Sequence, residues 1–575
     1  CHHHNGSSLI DYVLLDNLTL PQLRYFKVED LTYLSDHCLI SFGLSVAYSM
    51  EVSSNVTASN KGRYCKKYKW NDELNAKLQV QLNKGYVKQT LLQLEMKEIT
   101  DIDQHVETLT KVLNDCAEKC MRVKKPSYQT KKRKWYTMSC SKLKCEVSRL
   151  GKALYKETTN VSLREAYFRT KRMYKKTVKH AKLTFKQNLA EKLEDASISD
   201  PKMYWKLLEE LRNCDSVENK RENPVSADEW VEYFKNIFKP HETCSTEGHK
   251  IIMAELEELE KQQIFNELSF RIHTSEVTAA IKSLKLRKAA GPDNLTSEIL
   301  KSSSTSITKI LEKMYNYILI SGLYPKLWTE GIITPLHKKG NIYDPDNYRG
   351  ITVASTMGKV LGLILNKRLV QFCEKHNIID ERQASHKKNS RTSDNAFIIR
   401  SLFEKYCVKQ NQTLYTCFVD FRKAFDSIWH NGMFVKLLRN GIGGPFYKLI
   451  KSMYFNASAS VKDSRGQLSN TFPIKRGVKQ GDVLSPLLFN IFINDIVPIF
   501  QEEDCNPPTL IQKSVGCLLY ADDLVLISTT PTGLQTSLDK LNSYCNTWKL
   551  EVNSMKTKTM ILTKQKRDIT HSFKL

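Results

Sequence analysis

Three aspartates stand where the sequence places catalysis. Leu414 to Val419 is a run of apolar and β-branched residues that reads as a strand ending at Asp420, after which Phe421 to Ser427 changes to a helical pattern. Roughly a hundred residues on, Val515 to Tyr520 and Leu524 to Ser528 are two apolar runs joined through Ala521, Asp522 and Asp523. This predicts a hairpin with paired acids at its tip. Like charges gathered on buried strands are costly unless a cation neutralises them, so a divalent metal is the simplest account, and Mg²⁺, with Mn²⁺ as the alternative, suits hard carboxylate oxygens. Two such ions about 4 Å apart activate an attacking hydroxyl and stabilise a leaving pyrophosphate, which is phosphoryl transfer.

Other elements must hold these acids. Between them lies Arg476-Gly477-Val478-Lys479-Gln480-Gly481-Asp482, whose glycines permit close backbone approach, followed by Ser485 and Pro486, which predict a helix capped by Ser485. Val483 to Phe500 reads as a buried helix. Upstream, from about Tyr68 to Arg212, helical spacing dominates. Leu143, Val147, Leu150 and Leu154 form one stripe and Tyr174, Val178, Ala181, Phe185 and Leu189 another. Ser162 with Glu165 has the spacing of a capping box, and Asp200-Pro201 opens a further helix. The acidic stretch Glu255 to Glu260 reads as a linker helix. Near the start, Leu9 to Leu15 and Cys38 to Val46 read as strands.

A chain of 575 residues divides into about three to four domain-sized units. Its net charge of +25 implies a polyanionic partner. Met121 to Ala190 alone carries 21 Lys and Arg against 3 Glu, too lopsided for a merely solvated face. Trp135, Tyr136, Tyr167, Phe168 and Tyr174 are interleaved there and either stack bases or pack helices. Cys116/Cys120 and Cys140/Cys145 are too loosely spaced, with no following His pair, to predict zinc. Fifteen cysteines without a regular framework or signal peptide point to a reducing intracellular compartment, and no apolar run is long enough to span a bilayer. A first residue other than Met suggests a fragment.

Asp420 within FVDFRKAFDS and Tyr520-Ala521-Asp522-Asp523 resemble the two catalytic palm motifs of reverse transcriptases, with RGVKQGDVLSPL between them similar to the template- and nucleotide-positioning motif. Pro335 to Gly340 and Asn347 to Ile351 resemble the fingers motifs. The resemblance implies that Lys338 and Arg349 grip the triphosphate, groups whose charge suits phosphate oxygens. It implies that Asp420, Asp522 and Asp523 are catalytic metal ligands, that Gln480 lies at the nucleotide, and that Lys556, in WKLEVNSMK, stands near the departing pyrophosphate. Phe425 would lie beneath C2′ and exclude ribonucleotides, the alternative being an ordinary core phenylalanine. Gln383-Ala384-Ser385-His386 departs from the family in lacking Gly-Phe after its Gln.

Two segments narrow the resemblance to non-LTR (LINE-type) retrotransposons. Arg287 to Asp293 (RKAAGPD) is similar to their segment before the fingers, and Ser8 to Val13 with Leu34 to His37 looks like the end of their apurinic-type endonuclease. His37 would then contact the scissile phosphate, Asp11 would orient it, and Asp36 would assist the metal. The implied fold is α+β: right-hand polymerase fingers and palm, preceded by a mostly helical basic region and the C-terminal end of an α/β endonuclease sandwich. The implied domains are an endonuclease remnant over 1–48, a basic helical linker region over 60–275, and a reverse transcriptase domain over 276–575 with the thumb missing. The implied function is RNA-directed DNA polymerisation from a 3′-hydroxyl primer, with RNA template, DNA primer or target and dNTPs as partners. It would act in the nucleus on genomic DNA and otherwise reside in the cytoplasm, and nicking is not expected of this chain. The alternatives are a catalytically incomplete relic that binds RNA, and a group II intron-type or telomerase-like reverse transcriptase.

Overall fold

The computed structural model describes residues 2–3, 6–7, 23–28, 40–44, 70, 72–120, 135–157, 160–212, 225–240, 247–262, 267–387, 390–463, 466–564 and 571–574. Asp11, Asp36, His37 and the run Leu9 to Leu15 lie outside the described residues. Helices and antiparallel-rich sheets are mixed along the chain, an α+β organisation. Among the described residues no helix is long and apolar enough to cross a membrane. The chain divides into two units: Cys1–Asn60 with Pro126–Arg221, and Lys61–Lys125 with Glu222–Leu575.

In the first unit the strands Leu23–Val28 and Ile40–Leu44 pair antiparallel, the second falling within the run expected from Cys38 to Val46. The apolar stripes become the helices Met138–Lys156 and Val161–Ser199, the latter 39 residues long. Leu150 and Leu189 are buried while Arg172, Lys175, Lys176 and Lys179 are exposed, so the amphipathic pattern sorts core from charge as its period requires. Asp200 caps the helix Pro201–Arg212 by accepting from the Met203 N–H at 3.2 Å. The expected Ser162/Glu165 box does not form. Asn160 is the cap instead, accepting from the Leu163 N–H, and the Ser162 hydroxyl donates to the Asn160 side chain. Both residues are cap formers, and the one whose oxygen reaches the third N–H of the helix takes the role. Trp135 and Tyr167 are buried, with the ammonium groups of Lys182 and Lys171 over their rings at 5.0 and 5.3 Å. These two aromatics therefore pack the helices.

The second unit is built on one large core. Leu78, Val106, Leu109 and Leu113 of the helices Asp72–Leu82 and Ile102–Cys120 join Ile307, Ile310 and Met314 of the helix Ser297–Ser321 in it. Lys313 donates to the carbonyls of Glu95, Met96 and Lys97 at 2.8, 3.2 and 2.7 Å, satisfying orphan acceptors at the end of the helix Gly85–Met96. The RKAAGPD segment docks through Asp293, whose buried carboxylate accepts from the Ser355 hydroxyl at 2.6 Å while Ser355 caps the helix Thr356–Lys375. Burial pushes the Asp293 carboxyl up to about 6, against the hydrogen bond from Ser355.

Two four-stranded sheets carry the rest. One runs in the order Cys517–Tyr520, Asp523–Ser528, Leu414–Val419, Lys558–Leu562, all neighbours antiparallel. The other runs Tyr348–Val353, Glu330–His337, Ser458–Val461, Phe472–Pro473, its middle pair parallel. The helix Ala227–Phe238, opened by a capping box of Ser226 and Glu229, buries Trp230, Phe234 and Phe238 in a cluster with Ala459, Val461 and Phe472 of the second sheet. Truncating Trp230 to Ala would cost about 3–5 kcal/mol.

Two further elements differ from the sequence pattern. The acidic helix, Glu247–Lys261, is docked rather than a linker: Glu255 pairs with Arg439 at 2.7 Å, and Glu260 accepts from Lys451 and Tyr447. Its acids meet bases of the helices His430–Arg439 and Gly444–Phe455, a complementarity that lies far away in sequence. The buried helix expected from Val483 to Phe500 is regular only over Ser485–Ile493 and continues as short 3₁₀ turns, the second opened by Pro498, whose ring supplies no N–H to a continuing α-helix.

Candidate active site

Asp420 directly follows the interior strand Leu414–Val419, whose side chains are buried except at Phe418. The ladder pairs Leu524 with Val419, so Asp523 and Asp420 lie side by side one step beyond it. Tyr520 pairs with Asp523 across the tight hairpin, which leaves Ala521 and Asp522 as its tip. The expected hairpin is therefore present, and it brings three acids to one sheet edge. Its tip needs a left-handed backbone at Ala521, φ +57°, which costs a residue with a Cβ about 1–2 kcal/mol.

A third segment fastens Asp420 from behind. Its N–H donates to the Thr557 hydroxyl at 3.2 Å and its carbonyl accepts from the Asn553 N–H at 2.7 Å. The same turn carries Lys556, whose Nζ stands 3.7 Å from Asp420 Oδ2. Lys338 and Arg349 come from the hairpin of the second sheet, in which Leu336 pairs with Arg349 and the Lys338 N–H donates to the Asn347 carbonyl at 2.9 Å. That hairpin is tied to the segment after Asp420: Asp346 accepts from Lys423 at 2.8 Å and from Tyr233 at 2.9 Å.

These charges feel one another. Burial holds the Asp522 carboxyl above its ordinary range, Asp420 adds to the rise, and Arg349 and Lys338 oppose it. Asp523 is raised by burial and then by Asp522 and Asp420. The Lys338 ammonium is lowered by burial, Arg349 and Lys556, with Asp420 and Asp522 opposing. Thus acids and bases from four separate segments share one electrostatic site.

The glycine-rich segment lies against it as expected. Gly477 has φ +83°, and a Cβ there would meet the Asp426 carbonyl oxygen at 2.5 Å; at Gly481, φ +109°, it would meet that of Thr352 at 2.9 Å. Gln480 bridges two elements, its side chain donating to Asp426 Oδ2 at 2.8 Å and its carbonyl accepting from the Thr352 N–H at 2.8 Å. Ser485 is not the cap but the first residue of its helix, and its hydroxyl donates to the Lys479 carbonyl at 2.8 Å, fastening the glycine-rich turn instead. Phe425 is half-buried and stacked on the buried Phe489, with centroids 4.6 Å apart and planes 18° apart.

Sequence reasoning missed three residues. Asp426, inside the FRKAFDS motif, receives Gln480, and burial pushes its carboxyl up to about 7 against the pull of Lys423 and Gln480. Thr557 anchors Asp420. Gln383, noted only for its neighbours, bonds the backbone of Ala521. A polar residue inside an otherwise apolar or catalytic motif is the signal that would have flagged Asp426. Thr557 and Gln383 act across chain separations that no local pattern shows.

Among the described residues no three His, Cys, Asp or Glu side chains form a group able to hold a metal ion by themselves. Asp420 and Asp522 do supply hard oxygen donors, and the burial and repulsion that raise Asp522 are what a bound divalent cation would offset. They fit an ion whose remaining ligands are phosphate oxygens and water. Opposite them, cationic groups fit a polyphosphate.

Residues 336–572 match the family described as reverse transcriptase (RNA-dependent DNA polymerase). This part of the chain is a reverse transcriptase domain. The chain is 28% identical over 294 residues to a probable RNA-directed DNA polymerase from transposon BS of Drosophila melanogaster, covering 50% of this chain and 32% of that protein. It is 28% identical over 286 residues to a retrovirus-related Pol polyprotein from type-1 retrotransposable element R2 of Popillia japonica, covering 50% and 39%. Over 505 residues it is 23% identical to an RNA-directed DNA polymerase from mobile element jockey of Drosophila funebris, covering 84% and 53%. The domain is of the non-LTR, LINE type. The chain spans about a third to a half of the length of these curated relatives.

Proposed function

We propose that this chain is an RNA-directed DNA polymerase of a non-LTR retrotransposon, extending a DNA 3′-hydroxyl on an RNA template with dNTPs. The observation that carries the reading is the meeting of Asp420 and Asp522 with Lys338, Arg349 and Lys556 at one sheet edge. In this reading residues 276–575 supply fingers and palm, the carboxylate sheet being the palm and the second sheet with its hairpin the fingers.

Asp420 and Asp522, with Asp523 beside them, are the residues that would hold Mg²⁺, two ions when substrate is present. Bound there, such ions activate the attacking hydroxyl and stabilise the leaving pyrophosphate. The protein's own groups do the rest. Lys338 and Arg349 bind and orient the triphosphate, the first as a point charge and the second as a fork. Lys556 stands on the carboxylate side and neutralises charge on the departing phosphates. Gln480, braced by Asp426, shapes the floor on which the base pair lies. Phe425, backed by Phe489, stands where a ribose 2′-hydroxyl would collide with its ring. The basic helices of the first unit supply electrostatic affinity for the nucleic-acid backbone, and the work on genomic DNA would take place in the nucleus.

The test is primer extension with purified chain, comparing RNA and DNA templates and dNTPs with NTPs. The reading expects dNTP-dependent extension on RNA that stops when divalent cation is chelated. No extension on RNA by folded protein would overturn it.

A further inference from the structure

We infer that Gln383 is a positioning residue of this site: its side-chain amide clasps Ala521 from both sides and fixes the backbone that aims Asp522. The inference rests on the polymerase reading and adds to it a residue outside the catalytic motifs. Gln383 is 1% exposed. Its Oε1 accepts from the Ala521 N–H at 2.9 Å and from the Ser385 N–H at 3.1 Å, and its Nε2 donates to the Ala521 carbonyl at 3.4 Å.

The turn needs such a clasp. A tight hairpin is ordinarily closed by Gly, Asn or Asp where φ is positive, yet here the left-handed position is occupied by Ala521. Beside it, Asp522 is pushed by the charge of Asp420, so both backbone preference and repulsion work to open the tip. An outside group that pairs the N–H and the carbonyl of Ala521 together holds the conformation against both.

A primary amide is the side chain suited to the task, because it accepts and donates at once. Glutamate would lose the donor and add a charge beside three aspartates, and alanine would leave buried backbone groups unpaired. The clasp is itself anchored. Leu519, on the strand leading into the turn, donates to the Arg382 carbonyl and accepts from the Ala384 N–H, each at 3.0 Å. Ser385 and Asn490 exchange hydrogen bonds at 3.2 and 3.0 Å, tying the segment to the buried helix Ser485–Ile493. Strand, turn and helix are thus locked through residues 382–385.

The test compares wild type, Gln383→Ala and the double variant Gln383→Ala/Ala521→Gly in two measurements. Hydrogen exchange reads the clasp directly: the Ala521 amide should exchange at least about tenfold faster in Gln383→Ala. Primer extension reads its purpose. The value of kcat should fall roughly 10- to 100-fold with KM for dNTP changed less than about threefold, since the acid and not the triphosphate grip is displaced. In the double variant glycine adopts positive φ freely, so kcat should return to within about threefold of wild type. If the alanine variant melts early, Gln383→Met keeps the volume without the amide and carries the same comparison. An unchanged Ala521 exchange rate in a folded variant, or a double variant no faster than the single one, would overturn the inference. If wild type extends no primer, the polymerase reading fails, while the exchange measurement still decides the clasp.

Discussion

At Asp420 both backbone groups are bonded to the turn of residues 553–557, and at Ala521 both are bonded to one glutamine. Along the helix Val161–Ser199, by contrast, Arg172, Lys175, Lys176 and Lys179 stand exposed on a single element. In the proposed function both regions serve a polyanion, and they serve it differently. Steering phosphates needs charge in roughly the right place, because Coulomb attraction falls slowly with distance. Aligning a reacting phosphorus demands acids held to a fraction of an ångström, so each is braced by segments remote in the chain. A substitution of equal chemical size should therefore cost far more in the palm than on the basic helix.

Among residues that carry no charge, a large contrast is expected at Gly477. An alanine there is strained by φ +83° and would press its Cβ to within 2.5 Å of the Asp426 carbonyl oxygen. Extension by Gly477→Ala should fall roughly 100-fold. Near wild-type rates would show that the palm tolerates displacement. On the other side of the comparison, replacing Arg172, Lys175, Lys176 and Lys179 together by Gln should leave kcat intact and flatten the salt dependence of RNA binding, by about 0.7 to 0.9 in log-log slope for each phosphate that is no longer neutralised. An unchanged slope would mean that these charges only keep the helix soluble.

Phe425→Val sharpens the comparison within the palm itself. The ring is stacked on Phe489, and in the proposed function its other face meets the nucleotide sugar. As a gate its loss should raise the ratio of rNTP to dNTP incorporation roughly tenfold with DNA synthesis still measurable. As mere core it should lower the melting temperature and leave the ratio fixed.

The smallest effect concerns Lys436, 2% exposed, which donates to the Phe492 carbonyl, Asp495 and the Tyr544 hydroxyl at 2.6, 2.7 and 2.6 Å. Burial pulls its ammonium down to about 7, against the attraction of Asp495 and with Arg439 adding to the fall. Below that pH folded and unfolded chains both carry the proton. Between about pH 7 and 10.5 the unfolded chain binds a proton that the folded one has lost, so this lysine makes stability rise with pH. Melting curves of Lys436→Met should lack that rise, and identical slopes would refute the assignment.

Much of this was legible in the sequence for a physical reason. The strand before Asp420 and the hairpin around Asp522 are local patterns of apolar runs and acids, and Gly477 and Gly481 announce close approaches by residue type alone. The two amphipathic helices follow from their period. What could not be read depends on partners distant in the chain: the docking of Glu255 on Arg439, the role of Gln383 at Ala521, and the use of the Ser485 hydroxyl on Lys479. The choice of Asn160 over Ser162 as a cap turned on a difference of two residues between equally suitable side chains.

The reaction proposed for the acids gathered at this sheet edge is RNA-templated DNA synthesis. It is tested most directly by single-turnover extension of a DNA primer on an RNA template, with wild type and Asp522→Asn compared at equal protein and saturating Mg²⁺. Incorporation by wild type is expected, with a loss of at least about 10³-fold in the asparagine variant and its melting temperature preserved. Extension by a folded Asp522→Asn protein within about tenfold of wild type would contradict it.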